Sequence, residues 1–432
     1  MVWIQLAVVL AFIFLGARLG SIGIGFAGGV GVLVLSLGLG MTPGGIPIDV
    51  ILIIMAVIGA VAAMQVAGGL DYLVQQAERV LRSKPKQITI LAPIVTYVMT
   101  LLAGTGHTAY STLPVIAEVA KENGVRPSRP LSISVIASQI AITASPVSAA
   151  VVVFSGMLEP FGIGYLDLLM VVIPTTFAAC ILTAFVCNFL GLDLEKDPVY
   201  QDRLAKGLIK TRESRTYDIK PGARLSVLIF ALTIVAVVIY ATLISDKVGI
   251  IEHPVLPRNE AIMVFMLTAA TLITLCTKID ASSILNAQTF RSGMSACVCV
   301  LGVAWLGNTF VAGHIDQIKL VAGELLEGYP WLLAVALFFA SMLLYSQAAT
   351  TRALMPAALA LVDPVTAIAS FAAVGALFVL PTYPTLLAAV EMDETGSTRI
   401  GKLVFNHSFF VPGMIAIVLS VALGFLVAPM VL

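Results

Sequence analysis

Apolar segments of bilayer-spanning length follow one another almost from end to end of this chain, and that leaves few architectures open. They lie near residues 2 to 17, 20 to 40, 51 to 69, 88 to 119, 131 to 158, 165 to 191, 225 to 245, 260 to 277, 293 to 312, 330 to 362, 365 to 390 and 403 to 431. A hydrocarbon interior offers no partners to backbone N–H and C=O groups, so segments of this kind become helices that satisfy themselves. Charged residues make up 11% of the 432, against roughly 25% in soluble domains. The class that follows is an all-α, multi-pass membrane protein.

A formal net charge of zero gives no argument for a nucleic-acid partner. The five cysteines, Cys180, Cys187, Cys276, Cys297 and Cys299, all lie in apolar runs and suggest neither a disulfide framework nor a zinc site. The opening run VWIQLAVVLAFIFLGA has no basic residue before it and reads as a retained first span rather than a signal peptide.

Two segments, 88 to 119 and 330 to 362, are too long for one crossing and carry polar centres, so each is expected to be a re-entrant hairpin. With the remaining ten as crossings, all of the 24 Lys and Arg fall on one face except Lys247, Arg258, Lys319 and the intramembrane Arg352. By the positive-inside rule that face is cytoplasmic and both termini are periplasmic.

The only long hydrophilic stretch, residues 192 to 224, reads as a cytoplasmic linker dividing the chain nearly in half. Residues 1 to 191 and 225 to 432 then show the same order: three spans, a re-entrant hairpin and two spans, one of them discontinuous. Because one half begins outside and the other inside, the two are expected to be inverted repeats. GGLDYLVQQAERVLRSKPK and GHIDQIKLVAGELLEGYP lead into the two hairpins as amphipathic stretches, which puts Asp71 and Asp316 in equivalent places as helix caps or interfacial contacts.

The hairpin tips read GTGHT and SQAAT, and the spans that follow are broken at TASPVS and PTYPT. Four interruptions at matching places form the pattern of a secondary transporter's midplane site. Each exposes amide N–H groups at a half-helix start with a positive dipole end behind them, which suits an anion. The candidate substrate-binding residues are Thr105, Gly106, His107, Thr108, Gln139, Thr143, Ser145, Pro146, Ser148, Ser346, Gln347, Thr350, Arg352, Pro381, Thr382, Tyr383 and Thr385. Acidic residues are nearly absent from the spans, which argues against a cationic substrate and favours a short dianion held at both ends. His107 is either a proton carrier or a neutral hydrogen-bonding group. Arg352 either meets a carboxylate or snorkels to the surface.

GARLGSIGIGFAGGVGVLVL, QVAGGLDYLVQQAERVLR, ITILAPIVTYVMTLLAGTGH, QIAITASPVSAAVV, RSGMSACVCVLGVAWLG, LLYSQAATTRALMPAALAL and LPTYPTLLAAVEMDETGSTRIGK closely resemble the bacterial anaerobic C4-dicarboxylate transporter family of the Dcu A/B type, across essentially the whole chain. The resemblance implies carriage of fumarate, succinate, malate and aspartate across the inner membrane, with exchange of fumarate or aspartate for succinate. It also implies kinship with the ion-transporter superfamily, whose members resemble elevator homodimers embedded in lipid. Those relatives carry an Asn in the hairpin tip, often with sodium; both tips here lack it. The expectation is a carrier without cofactor or metal, its coupling ion, Na+ or H+, left open.

Two other classes fit less well. A channel would show a continuous polar stripe, whereas polar residues here cluster at mid-membrane. An intramembrane hydrolase would need a nucleophile motif such as G-x-S-x-G, and no Asp lies near His107 in sequence to orient it, so an enzyme is not expected.

Overall fold

Glycines at positive φ, prolines and π-helical turns cut the apolar runs into helices shorter than the runs themselves. The computed structural model describes the chain except for residues 20, 21, 47, 210–218, 245–249, 252, 345, 381, 382, 403 and 404. The chain opens with α1 (Val2–Leu19), α2 (Gly23–Leu33) and α3 (Ile48–Val66), and α2 passes directly into a π-helical turn at Val34–Gly38. At Gly68, whose φ is 87°, the chain bends by 72° into α4 (Gly69–Ser83). Glycine adopts that φ without the cost a Cβ would add. α4 buries Leu70, Val74, Ala77 and Leu81, a helical stripe, and turns Asp71 and Arg79 outward.

Next come α5 (Ile88–Ala103) and α6 (Ala109–Glu122), joined through Gly104 at φ 69°. Arg82, just before α5 begins, holds Glu122, the last residue of α6, at 2.9 Å, with Glu78 at 2.7 Å and Glu118 at 3.8 Å. The chain therefore doubles back on itself. α7 (Ser128–Ile140), α8 (Ala149–Leu158), α9 (Tyr165–Cys187) and the short α10 (Pro198–Ala205) follow.

After the central stretch come α11 (Ala223–Leu243), α12 (Arg258–Thr277), α13 (Gln288–Cys299), a π-helical turn at Val300–Ala304, and α14 (Trp305–Gly328). α15 (Leu332–Leu344), α16 (Gln347–Leu361), α17 (Pro364–Ser370), α18 (Pro384–Met392) and α19 (Phe410–Val431) complete the chain. Among the described residues the sole β-pairing is an isolated bridge between Ile400 and His407. The all-helical membrane class holds.

Several details depart from the sequence reading. Among the described residues five helices are long and apolar enough to cross a bilayer: Pro85–Ala103, Tyr165–Cys187, Ala223–Leu243, Asn259–Thr277 and Phe410–Val431. The first of these is one arm of the expected first hairpin. The last span starts at Phe410, just after the bridge between Ile400 and His407. Asp71 sits exposed in the first turn of α4, whose N-cap is Gly68 with no side-chain hydrogen bond, and Asp316 lies exposed in the middle of α14, which runs on without a counterpart to Gly68.

The start of the central loop, mostly exposed, is tied to the helical body by charged contacts. Arg126, before α7, makes a buried ion pair with Asp197, the residue capping α10, and also donates to the Leu192 carbonyl at 3.1 Å. Arg203 of α10 donates to the Glu394 carbonyl at 3.0 Å, and Arg129 reaches Asp193 at 3.2 Å. Burial opposes the charge on Asp197, but the Val199 backbone N–H and the Arg126 guanidinium outweigh it and hold its carboxyl below the usual range.

Buried side chains gather into separate cores. The largest joins α4 to α9 with α15 to α19. A second is built mainly from α3, α11 and α12, and a third from α1, α2 and α14.

Candidate functional site

α3 and α13 run antiparallel. Gln65 near the end of α3 accepts hydrogen bonds from the backbone N–H and the hydroxyl of Thr289 at the start of α13, while Cys297 near its end reaches the Ile51 carbonyl at the other end of α3. Opposite this pair the four breaks come together, and between them lies a cavity of about 570 Å³. The turn after α5 contributes Gly104, Thr105 and Gly106; the break between α7 and α8 contributes Ile142, Val147, Ala149 and Ala150. The turn before α16 contributes Ser346 to Ala349, and the start of α18 contributes Tyr383 and Pro384.

Four helices open on this space with their N-termini, while α5 and α15 end on it with Ala103 and Leu344. α8, α13, α16 and α18 each place first-turn or capping residues in the lining. Ser148, in extended backbone, caps α8 by accepting the Val151 N–H at 3.2 Å, and Ser346 caps α16 by accepting from Ala349 at 3.2 Å. Ala149, Ala150, Gln347 and Ala348, whose amides precede the first intrahelical bond, all line the cavity. The partial positive charge of four helix N-termini thus lies beside a cavity whose lining, among the described residues, holds no acidic side chain.

Close packing holds the breaks in place. A Cβ on Gly104 would stand 3.0 Å from both the Val147 carbonyl oxygen and its side chain, so the first turn abuts the first break through bare backbone. Ser145 donates to the Leu101 carbonyl at 2.7 Å, and the Tyr165 hydroxyl donates to the Pro146 carbonyl freed by the break. Gln347 donates to the Gln139 carbonyl at 3.1 Å, and the Gln139 amide donates to the Thr385 hydroxyl at 3.2 Å.

Of the residues expected at the site, Thr105, Gly106, Ser346, Gln347 and Tyr383 line the cavity. Others fall behind its wall, spent on the protein itself. Thr108 bonds Thr100 at 3.1 Å, Thr143 donates to the Ile140 carbonyl at 2.7 Å, and Thr350 donates to the Ser346 carbonyl at 2.8 Å. Gln139, Ser145, Pro146, Ser148 and Thr385 are buried in the same way, because a break buried in protein must first satisfy its own backbone. Arg352 sits half-buried on α16, outside the lining. Pro381, Thr382 and the side chain of His107 lie outside the described residues.

Sequence reasoning missed the opposing wall: Ile54, Val57, Ile58 and Val61 of α3, and Gln288, Thr289, Arg291 and Ser295 of α13, along with Tyr110. The signal was present as Gln288, Arg291 and Ser295, a polar stripe at helical spacing entering an apolar span. Arg291 had instead been counted with the cytoplasmic loops.

A family model described as anaerobic C4-dicarboxylate membrane transporter matches residues 1–432. The chain belongs to that family. It is 70% identical over 429 residues to the C4-dicarboxylate transporter DcuA of Wolinella succinogenes, covering 99% of each chain. It is 59% identical over 434 residues to DcuA of Escherichia coli K12, covering all of both, and 40% identical to the anaerobic C4-dicarboxylate transporter DcuB of E. coli O6:H1, covering 99% of this chain and 98% of that one. The fold resembles the crystal structure of the Alcanivorax borkumensis YdaH transporter, with a TM-score of 0.57 at 13% identity over 99% of this chain and 97% of the other. Members of this anaerobic C4-dicarboxylate transporter family are membrane transporters, not enzymes.

Proposed function

We propose that this protein, a C4-dicarboxylate transporter by family, is an inner-membrane exchanger that trades fumarate or aspartate for succinate, with malate also accepted. The observation that carries the reading is the convergence of four helix N-termini on one cavity with, among the described residues, no acidic side chain in its lining. Preorganised amide donors hold a carboxylate with no buried countercharge to neutralise, and small residues at the tips let it approach the backbone.

Alternating access would then be an elevator motion. The cavity lies between the large core of α4–α9 with α15–α19 and the wall made by α3 and α13, so the tips and breaks can move together against that wall. Support for inverted repeats comes from the matching order of α3 to α9 and α13 to α19: a helix, an amphipathic segment, two arms, two half-helices and a long span. The working unit is proposed to be a homodimer in lipid with both termini periplasmic. Neither cofactor nor metal is part of the scheme, and Na+ or H+ coupling is a variant of it.

Counterflow tests this. Proteoliposomes loaded with unlabelled succinate should accumulate labelled succinate, fumarate and aspartate in the absence of any ion gradient. Uptake that demands a Na+ or H+ gradient and ignores internal succinate would replace exchange with symport.

A further inference from the structure

We propose that Arg291 is a specificity-determining residue of the cavity, an exposed guanidinium that engages one carboxylate of the incoming dianion on the wall opposite the helix breaks. The inference rests on the dicarboxylate reading above and adds to it a side chain of α13, from which that reading takes only the helix N-terminus.

Among the described residues lining the cavity, Arg291 alone carries a formal charge. It stands in the first turn of α13, beside the positive end of that helix, so dipole and guanidinium add. The wall holds it there: Thr289 is tied to Gln65 of α3, and Gly293 lets α13 approach Ile58 so closely that a Cβ would collide with it. The side chain is exposed, and its hydrogen bond is to a neutral group, the Asn286 side-chain oxygen at 3.3 Å. Among the described residues no carboxylate lies within ion-pairing distance of it.

An arginine without a carboxylate partner, facing a cavity lined by amides and hydroxyls, has its donors available for a ligand. The planar fork matches a carboxylate in two parallel bonds. The helix breaks offer amides, which accept a monoanion and a dianion alike. Arg291 supplies what distinguishes them, a second positive centre for the second carboxylate. Because it is exposed, it also attracts anions from solution, an effect that salt screens.

The test uses the full chain in proteoliposomes. External concentration dependence of succinate counterflow is compared among wild type, Arg291→Gln and Arg291→Lys, at low and high ionic strength, with succinamate, the half-amide, as competitor. The expected result is a KM for succinate about tenfold higher in Arg291→Gln with Vmax unchanged. Arg291→Lys should recover most of it, and the gap should narrow as salt rises. The preference for succinate over succinamate should fall with the Gln variant. KM is independent of how much protein inserts, so poor yield does not imitate the effect. An Arg291→Gln protein with unaltered KM and undiminished preference overturns the inference while leaving exchange intact. Failure of the wild type to exchange any dicarboxylate is a different result, and it removes the transport scheme beneath it.

Discussion

The Gln347 side chain donates to the main-chain oxygen of Gln139 at 3.1 Å across 208 residues of sequence. This bond, with the one from Gln139 to Thr385, ties the second turn to both broken spans. All three residues are 5% exposed or less. Gln347→Ala should leave the Gln139 carbonyl short of its donor and cost about 1–3 kcal/mol. A lowered melting temperature in detergent together with a raised KM is expected. Thr385→Ala, behind the wall, should lower the melting temperature and leave KM alone.

Gly104 and Gly124 are both left-handed, at φ 69° and 68°, but a Cβ at Gly124 meets open space while one at Gly104 meets Val147. Alanine at either position carries a backbone strain of about 1 kcal/mol. Only Gly104→Ala should also disturb the contact between turn and break. Counterflow should drop severely in Gly104→Ala and remain near wild type in Gly124→Ala, and equal rates would show that the close approach is dispensable.

Ser148 and Thr105 should separate stability from binding. Ser148 is 1% exposed and caps α8, so Ser148→Ala should cost about 1 kcal/mol without changing succinate affinity. Thr105 lines the cavity, so Thr105→Ala should weaken affinity with little effect on melting. Isothermal titration and thermal denaturation on both variants check the pair.

The Arg126–Asp197 pair predicts a pH dependence. The Asp197 carboxyl is held below its ordinary range, so its stabilising contribution is complete above the unfolded carboxylate pKa and disappears as pH falls through the lower folded value. Asp197→Ala strands a guanidinium that is otherwise buried and should cost about 3 kcal/mol near neutrality. Melting temperatures of wild type and variant should converge on acidification, and a gap that stays constant would place the stabilisation elsewhere.

Composition and apolar run length were enough to determine a helical membrane protein, because lipid permits few ways to satisfy a backbone. The four breaks were legible for the same local reason: glycine, proline and hydroxyl residues in the middle of apolar runs interrupt helices wherever the chain goes. Which of those polar groups face a ligand was decided only by tertiary structure. Thr143, Ser145, Ser148 and Thr350 look the same in sequence as Thr105 and Ser346, yet they bond to backbone carbonyls behind the wall while Thr105 and Ser346 line the cavity. The place of Arg291 was likewise a matter of packing. A basic residue near the end of a span satisfies the charge rule from either side of a wall, and only the antiparallel seating of α13 on α3 turns it toward the cavity.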